Sequence, residues 1–172
     1  MRAIILVAAI VAGVVAGPGT SAPVRAEEQP MTVAIPRLSM DTALRIARAA
    51  VDRCRREGVQ VAVTVVDRGG DPQVVLRDVL AMDVTLTISR QKAYTAMVFN
   101  TPTSGLEGRF GSGPYSVPKI DGLLVAAGGL PINAGGSILG GVGVSGAPSG
   151  ATDEACARAG LEAVLADLEM SM

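Results

Sequence analysis

Gly141-Val142-Gly143-Val144-Ser145-Gly146 fits G-x-G-x-x-G, the pattern that cradles a dinucleotide pyrophosphate. That chemistry needs glycines that turn a strand directly into a helix, so that backbone amides and the helix dipole meet the phosphates. Here Ile138 to Ser145 reads as a strand containing the glycines. The next helix signal, Thr152-Asp153-Glu154, comes well past the third glycine, and a single helix cannot complete a βαβ unit. Ser145 fails as an activated nucleophile, because Ala147 breaks G-x-S-x-G and the chain has no histidine to act as base. Glycines inside a strand instead mark a close backbone approach, of a packed helix or of a ligand. The remaining reactive pair is Cys54 and Cys156. They suit a disulfide in an oxidising compartment, or two buried thiols that behave as apolar groups.

The elements that must position these residues begin at Leu38-Ser39. Ser39 is a good N-cap, Asp41 suits the positive end of the helix dipole, and Ala43, Ala47, Ala50, Val51 and Cys54 form one apolar face. Arg48, Asp52, Arg53, Arg55 and Arg56 make the solvated face, and Gly58 ends the helix. Val59 to Val66 is β-branched and strand-like, Asp67 to Pro72 is a turn, and Gln73 to Val79 returns as a second strand. Val84 to Phe99 reads as a helix, broken by Thr101-Pro102-Thr103. A short helix is expected around Ser104 to Phe110, loop from Gly111 to Pro118, and a further strand near Leu123. Pro131 to Asn133 and Ile138 to Ser145 pair across Ala134-Gly135-Gly136-Ser137, where Gly-Gly supplies positive φ. The last helix is expected from Asp153 to about Glu169, with Thr152 as cap. Strands in hairpins argue for an antiparallel sheet with helices on it, an α+β domain of order α-β-β-α-(β)-β-β-α. If the first and last helices lie side by side, Cys54 meets Cys156.

Arg2, the apolar stretch Ala3 to Val15 and the small residues up to Ala26 read as a secretory signal peptide, 1–26, cut after Ala26. Residues 27–37, with two prolines and no periodicity, read as a flexible arm, and 38–172 as one domain. Loss of Arg2 and Arg25 leaves a net charge of about −3, which excludes a nucleic-acid-binding balance. No membrane span is expected after processing. With 2% aromatic residues and no tryptophan, the core must be built from Val, Ala, Leu and Ile.

The motifs together resemble the haem-binding and glycolate-operon family, GlcG/HbpS-like, found also as the C-terminal domain of some corrinoid adenosyltransferases. The resemblance is carried by Val63-Thr64-Val65-Val66-Asp67-Arg68-Gly69-Gly70, Arg77-Asp78, Arg90-Gln91-Lys92-Ala93-Tyr94-Thr95-Ala96 and Thr101-Pro102-Thr103. It continues through Gly128-Gly129-Leu130-Pro131-Ile132, Gly143-Val144-Ser145-Gly146 and Asp153-Glu154-Ala155-Cys156. It implies a profilin-like sandwich of sheet and helices, homo-oligomers, and in some members haem binding, haem degradation or redox sensing. Similar secreted members carry Gly-Pro-His-Thr before the second helix. Here Met82-Asp83-Val84-Thr85 stands there, with Val84 in place of histidine, and Ala151 or Thr152 replaces a second histidine.

A haem without histidine must take Tyr, Met, Cys, a weaker donor or water. The resemblance therefore implies Tyr94 or Met82 at the metal, with Arg77 and Lys92 on the propionates. The plainer readings are a helix-packing tyrosine, a gap-filling methionine, and salt bridges from Arg77 and Lys92 to Asp78 or Asp83. Asp153 and Glu154 suit a cation with other acids, or simply the helix dipole. The expected function is a periplasmic or secreted, homo-oligomeric haem- or tetrapyrrole-binding protein for carriage, storage or sensing. An enzyme or accessory protein for a small carboxylate such as glycolate, and a ligand-free structural oligomer, are the alternatives.

Overall fold

The computed structural model describes residues 30–110 and 119–172, so the signal-peptide reading and the Gly111–Pro118 loop lie outside the described residues. The chain divides into Met1–Ala34, of which the described part forms no regular element, and Ile35–Met172. The second unit begins with helix α1, Met40–Arg56, capped by Ser39, whose side chain accepts the Thr42 amide. Its buried face is the expected one with Ile46 added, and Gly58 leaves the helix at φ +74°.

A hairpin follows, β1 (Ala62–Asp67) and β2 (Pro72–Arg77). Its turn is organised by Asp67, whose Oδ1 accepts the amides of Gly69 and Asp71. Both strands are shorter than the β-branched runs suggested. β2 stops at Arg77 because Asp78 turns inward: its carboxylate takes two bonds from Arg55, at 2.7 and 2.8 Å, and one from the Val79 amide. Helix α2 spans Val84–Phe99 and ends on left-handed Asn100. A short 3-10 turn at Thr103–Leu106 replaces the longer helix expected there. The further strand near Leu123 does not form. The Leu124 amide donates to Thr95 Oγ1 of α2, so this stretch lies over the helix instead of joining the sheet.

Strands β3 (Gly129–Ala134) and β4 (Ser137–Ser145) complete an antiparallel sheet of order β2-β1-β4-β3. The last helix departs from expectation at both ends. Ser149, in extended conformation, is the N-cap, and Thr152 supplies the amide that it accepts. Helix α3 then runs Gly150–Glu162, the chain breaks at Ala163-Val164 with Val164 turned into the core, and α4 covers Leu165–Met170.

Helices α1 and α3 pack together on one face of the sheet, over a core that includes Ile46, Val63, Val65, Val142, Val144 and Ile132. Cys54 and Cys156 form a disulfide within that core, tying α1 to α3. Helix α2 covers the other face, and here the glycines of β4 have their use. A Cβ on Gly141 would stand 2.2 Å from the Ala93 carbonyl oxygen, and one on Gly143 2.1 Å from that of Ser89. The backbone approach foreseen for these glycines is that of a packed helix. Among the described residues no helix is long and apolar enough to cross a membrane.

Candidate functional site

Helix α2 lies chiefly over β1, β4 and β3, which leaves the β2 side of its sheet face open. The groove that results encloses about 660 Å³ and is lined by Thr64, Gly70, Val75, Leu86, Arg90 and Tyr94, among others. Leu86, Arg90 and Tyr94 follow at four-residue intervals, so one stripe of α2 faces the groove. The Tyr94 ring rests on the β1–β2 turn, where a Cβ on Gly70 would come within 2.5 Å of its Cε2. Gly70 has φ +90°, a conformation that suits only glycine at low cost. Below the stripe, Thr64 and Ser89 share a buried hydroxyl–hydroxyl bond of 2.8 Å. Arg90 is exposed and makes no ion pair among the described residues. The groove thus joins apolar walls to a phenol, an uncommitted guanidinium and the two carboxylates of Asp71 and Asp121.

A second cavity of about 650 Å³ opens between the start of α3, the 3-10 turn and Ala126-Ala127. Its lining includes Lys92, Ser104, Glu107, Asp153, Glu154 and Arg158. Lys92 Nζ donates to Asp153 Oδ2 at 2.8 Å and to the Val144 carbonyl at 3.0 Å, and both side chains of the pair are 5% exposed. Asp153 Oδ1 accepts the Ala147 amide. Burial raises the Asp153 carboxyl above the ordinary aspartate value; the Lys92 contact and the Ala147 bond oppose that shift without cancelling it. The backbone is shaped around the pair: a Cβ on Gly128 would meet Lys92 Nζ at 2.8 Å, and one on Gly129 the Lys92 carbonyl oxygen at 2.3 Å. Glu154 Oε1 accepts from Arg158, while its Oε2 is buried with no hydrogen-bond partner.

The four residues expected to share a site are distributed over the structure. Tyr94 faces the groove, and Lys92 the second cavity. Arg77 is exposed and its guanidinium donates to the Ala81 carbonyl, bracing the loop before α2. Met82 lies in that loop and is 67% exposed. Asp78 pairs with Arg55 and Asp83 caps α2, so neither is the partner of Arg77 or Lys92. Asp153 serves Lys92, and no group of three potential metal-binding side chains occurs among the described residues. Sequence reasoning missed Arg90, which the four-residue stripe with Leu86 and Tyr94 would have revealed. It also missed the Lys92–Asp153 pair. The signal for that pair was composition: only Lys92 and Lys119 are lysines among 15 basic residues.

Residues 38–162 match the family described as "Haem degrading protein HbpS-like". Protein GlcG of Escherichia coli K12 is 33% identical over 108 residues, which cover 63% of this chain and 81% of GlcG. A double mutant of HbpS from Streptomyces reticuli superposes with a TM-score of 0.73 at 40% identity, covering 83% of this chain and 96% of that one. The crystal structure of a PduOC–haem complex superposes with a TM-score of 0.67 at 27% identity, over 74% and 95% of the two chains.

Proposed function

This chain belongs to the HbpS-like family, and from that premise we propose that it binds haem or a related tetrapyrrole, without histidine, in the groove between α2 and β2. The observation that carries the reading is the convergence of Tyr94, Arg90, Val75 and Leu86 on one cavity. Its volume falls in the range of sites for ligands of this class, roughly 300–1,000 Å³. Val75 and Leu86 give a flat macrocycle an apolar wall. Arg90 offers a planar guanidinium to a propionate, the role first expected of Arg77 and Lys92. Tyr94 stands as the side chain for the metal, since a phenolate is an established haem ligand type. Met82, on the exposed loop that opens α2, is the alternative thioether donor. The relative solved with haem supports the ligand class.

The work is carriage, storage or sensing in the periplasm or outside the cell. Support for that address comes from the signal-peptide pattern of residues 1–26 and from the Cys54–Cys156 disulfide, which oxidising compartments preserve. Val79, Leu80 and Met82 present apolar surface at 78%, 77% and 67% exposure, which supports a homo-oligomer. A small carboxylate is the competing ligand, and Arg90 would receive it in the same groove.

Hemin titration of the purified protein tests the reading. A saturable Soret shift at micromolar protein, altered by Tyr94→Phe and weakened by Arg90→Gln, is expected. No Soret change, or one that neither substitution nor Met82→Ala affects, would refute it. Thermal stabilisation by glycolate alone would favour the carboxylate.

A further inference from the structure

We propose that the Lys92 cavity is a carbonyl-binding site, in which the Lys92 amine forms a reversible imine with a small, uncharged hydroxyaldehyde. The site is separate from the groove and does not depend on the tetrapyrrole reading.

The choice of residue is the first argument. The chain meets its need for positive charge with arginine almost everywhere, yet position 92, buried, is lysine. Arginine's guanidinium is a poor nucleophile, whereas a lysine amine forms imines with carbonyl compounds. The second argument is placement. Lys92 lines a cavity of about 650 Å³, and two of its three N–H bonds are directed to Asp153 and to Val144. Gly128 and Gly129 press against its head and backbone, so the amine is held in one position. Asp153 Oδ2, at 2.8 Å, is within transfer distance of the ammonium proton. Burial raises the Asp153 carboxyl above the ordinary aspartate value, which suits it to accept that proton.

The lining selects the ligand. Among the described residues, Glu107, Asp153 and Glu154 face Lys92 and Arg158, an excess of one negative charge that opposes a 2-oxo acid. Glu154 Oε2 is a buried acceptor with no donor. An aldehyde that carries a hydroxyl supplies that donor and brings no charge. The step balances. Asp153 takes a proton from the ammonium, the amine nitrogen adds to the aldehyde carbon, and a proton passes from that nitrogen to the new alkoxide to give the carbinolamine. Asp153 then returns the proton to the departing hydroxyl. One water leaves and an iminium remains, so the positive charge opposite Asp153 is kept.

Glycolaldehyde with sodium cyanoborohydride, applied to the purified full chain and followed by peptide mass spectrometry, tests this. Lys119, exposed, is the internal comparison. The expected result is saturable labelling of Lys92 in the folded protein. Glycolaldehyde should act about tenfold faster than acetaldehyde or glyoxylate, the gain from one satisfied buried acceptor. Glu154→Gln should reduce that preference and Asp153→Asn the rate. An unlabelled Lys92 beside a labelled Lys119, or labelling that rises linearly with every aldehyde alike, overturns the proposal. If Asp153→Asn does not fold, saturation and selectivity in the parent protein still decide.

Discussion

Lys92 and Asp153, 61 residues apart in sequence, close an ion pair of 2.8 Å in which each side chain is 5% exposed. The pair links α2 to α3 at the end of the sheet, and a second tie runs from the same ammonium to Val144 of β4. Helices α2 and α3, on opposite faces of the sheet, and strand β4, which both contact, therefore share one buried ion pair.

Removing one partner should be costly. Lys92→Met leaves the Asp153 carboxylate buried and unpaired, and destabilisation of about 3–5 kcal/mol is expected. Replacing both partners, as Lys92→Met with Asp153→Leu, should recover much of that loss. Urea unfolding of the two single variants and the double variant measures the difference.

Asp153 and Asp78 should shape acid stability with opposite signs. The Asp153 value is raised by burial, so its contribution is full below 3.8 and is lost as pH rises through its folded value. The Asp78 value is lowered, first by its hydrogen bond to Arg55, so its contribution is present above 3.8 and is lost as pH falls through its folded value. Urea midpoints across the acid range should therefore show Asp78→Asn losing less stability than the parent on acidification. Asp153→Asn should lose less than the parent as pH rises from that range.

Gly143→Ala and Gly136→Ala should separate packing from conformation. At Gly143 the new methyl meets the Ser89 carbonyl oxygen of α2 at 2.1 Å, and backbone must move. A loss above about 3 kcal/mol is expected, in the range reserved for overpacked cores and strained backbone. At Gly136 nothing lies within 4 Å, but φ is +74°, so only the left-handed conformation is penalised, by roughly 1–2 kcal/mol. Thermal unfolding should rank the two variants in that order.

The Cys54–Cys156 bond spans 102 residues, and its removal by Cys54→Ser with Cys156→Ser should cost about 2–5 kcal/mol. Thiol titration of unreduced protein in denaturant should find no reactive thiol.

Arg90→Gln should weaken hemin binding while leaving folding within about 0.5 kcal/mol, because the side chain is exposed and makes no ion pair among the described residues. Equal unfolding midpoints beside unequal Soret titrations would meet that expectation.

The sequence exposed the elements whose signals are local. Ser39 as a cap, the α2 limits and the two hairpins all follow from caps, β-branching and turn residues within a few positions. The nucleotide match at Gly141 to Gly146 fails on the same local ground, the late arrival of the helix. What stayed hidden depends on partners distant in sequence. Leu123 to Val125 carries a strand's composition, but Thr95 takes the Leu124 amide. Val164 breaks the last helix because its side chain turns into the core, which no periodicity announces. Lys92 looked like a ligand-binding cation beside Tyr94. Being two positions apart on a helix sends their side chains to different sides, one to the groove and one to the buried pair.

The disulfide also determines how the molecule carries tension. A pull between the two ends of the domain runs along α1 to Cys54, across the sulfur bridge, and out through α3 from Cys156. Every strand, α2, the groove and the Lys92–Asp153 pair belong to the covalent ring between those cysteines, off that load path. Stretching should therefore peel the terminal helical segments while the ring stays whole. A single backbone cut anywhere inside the ring would leave both pieces of the sheet joined.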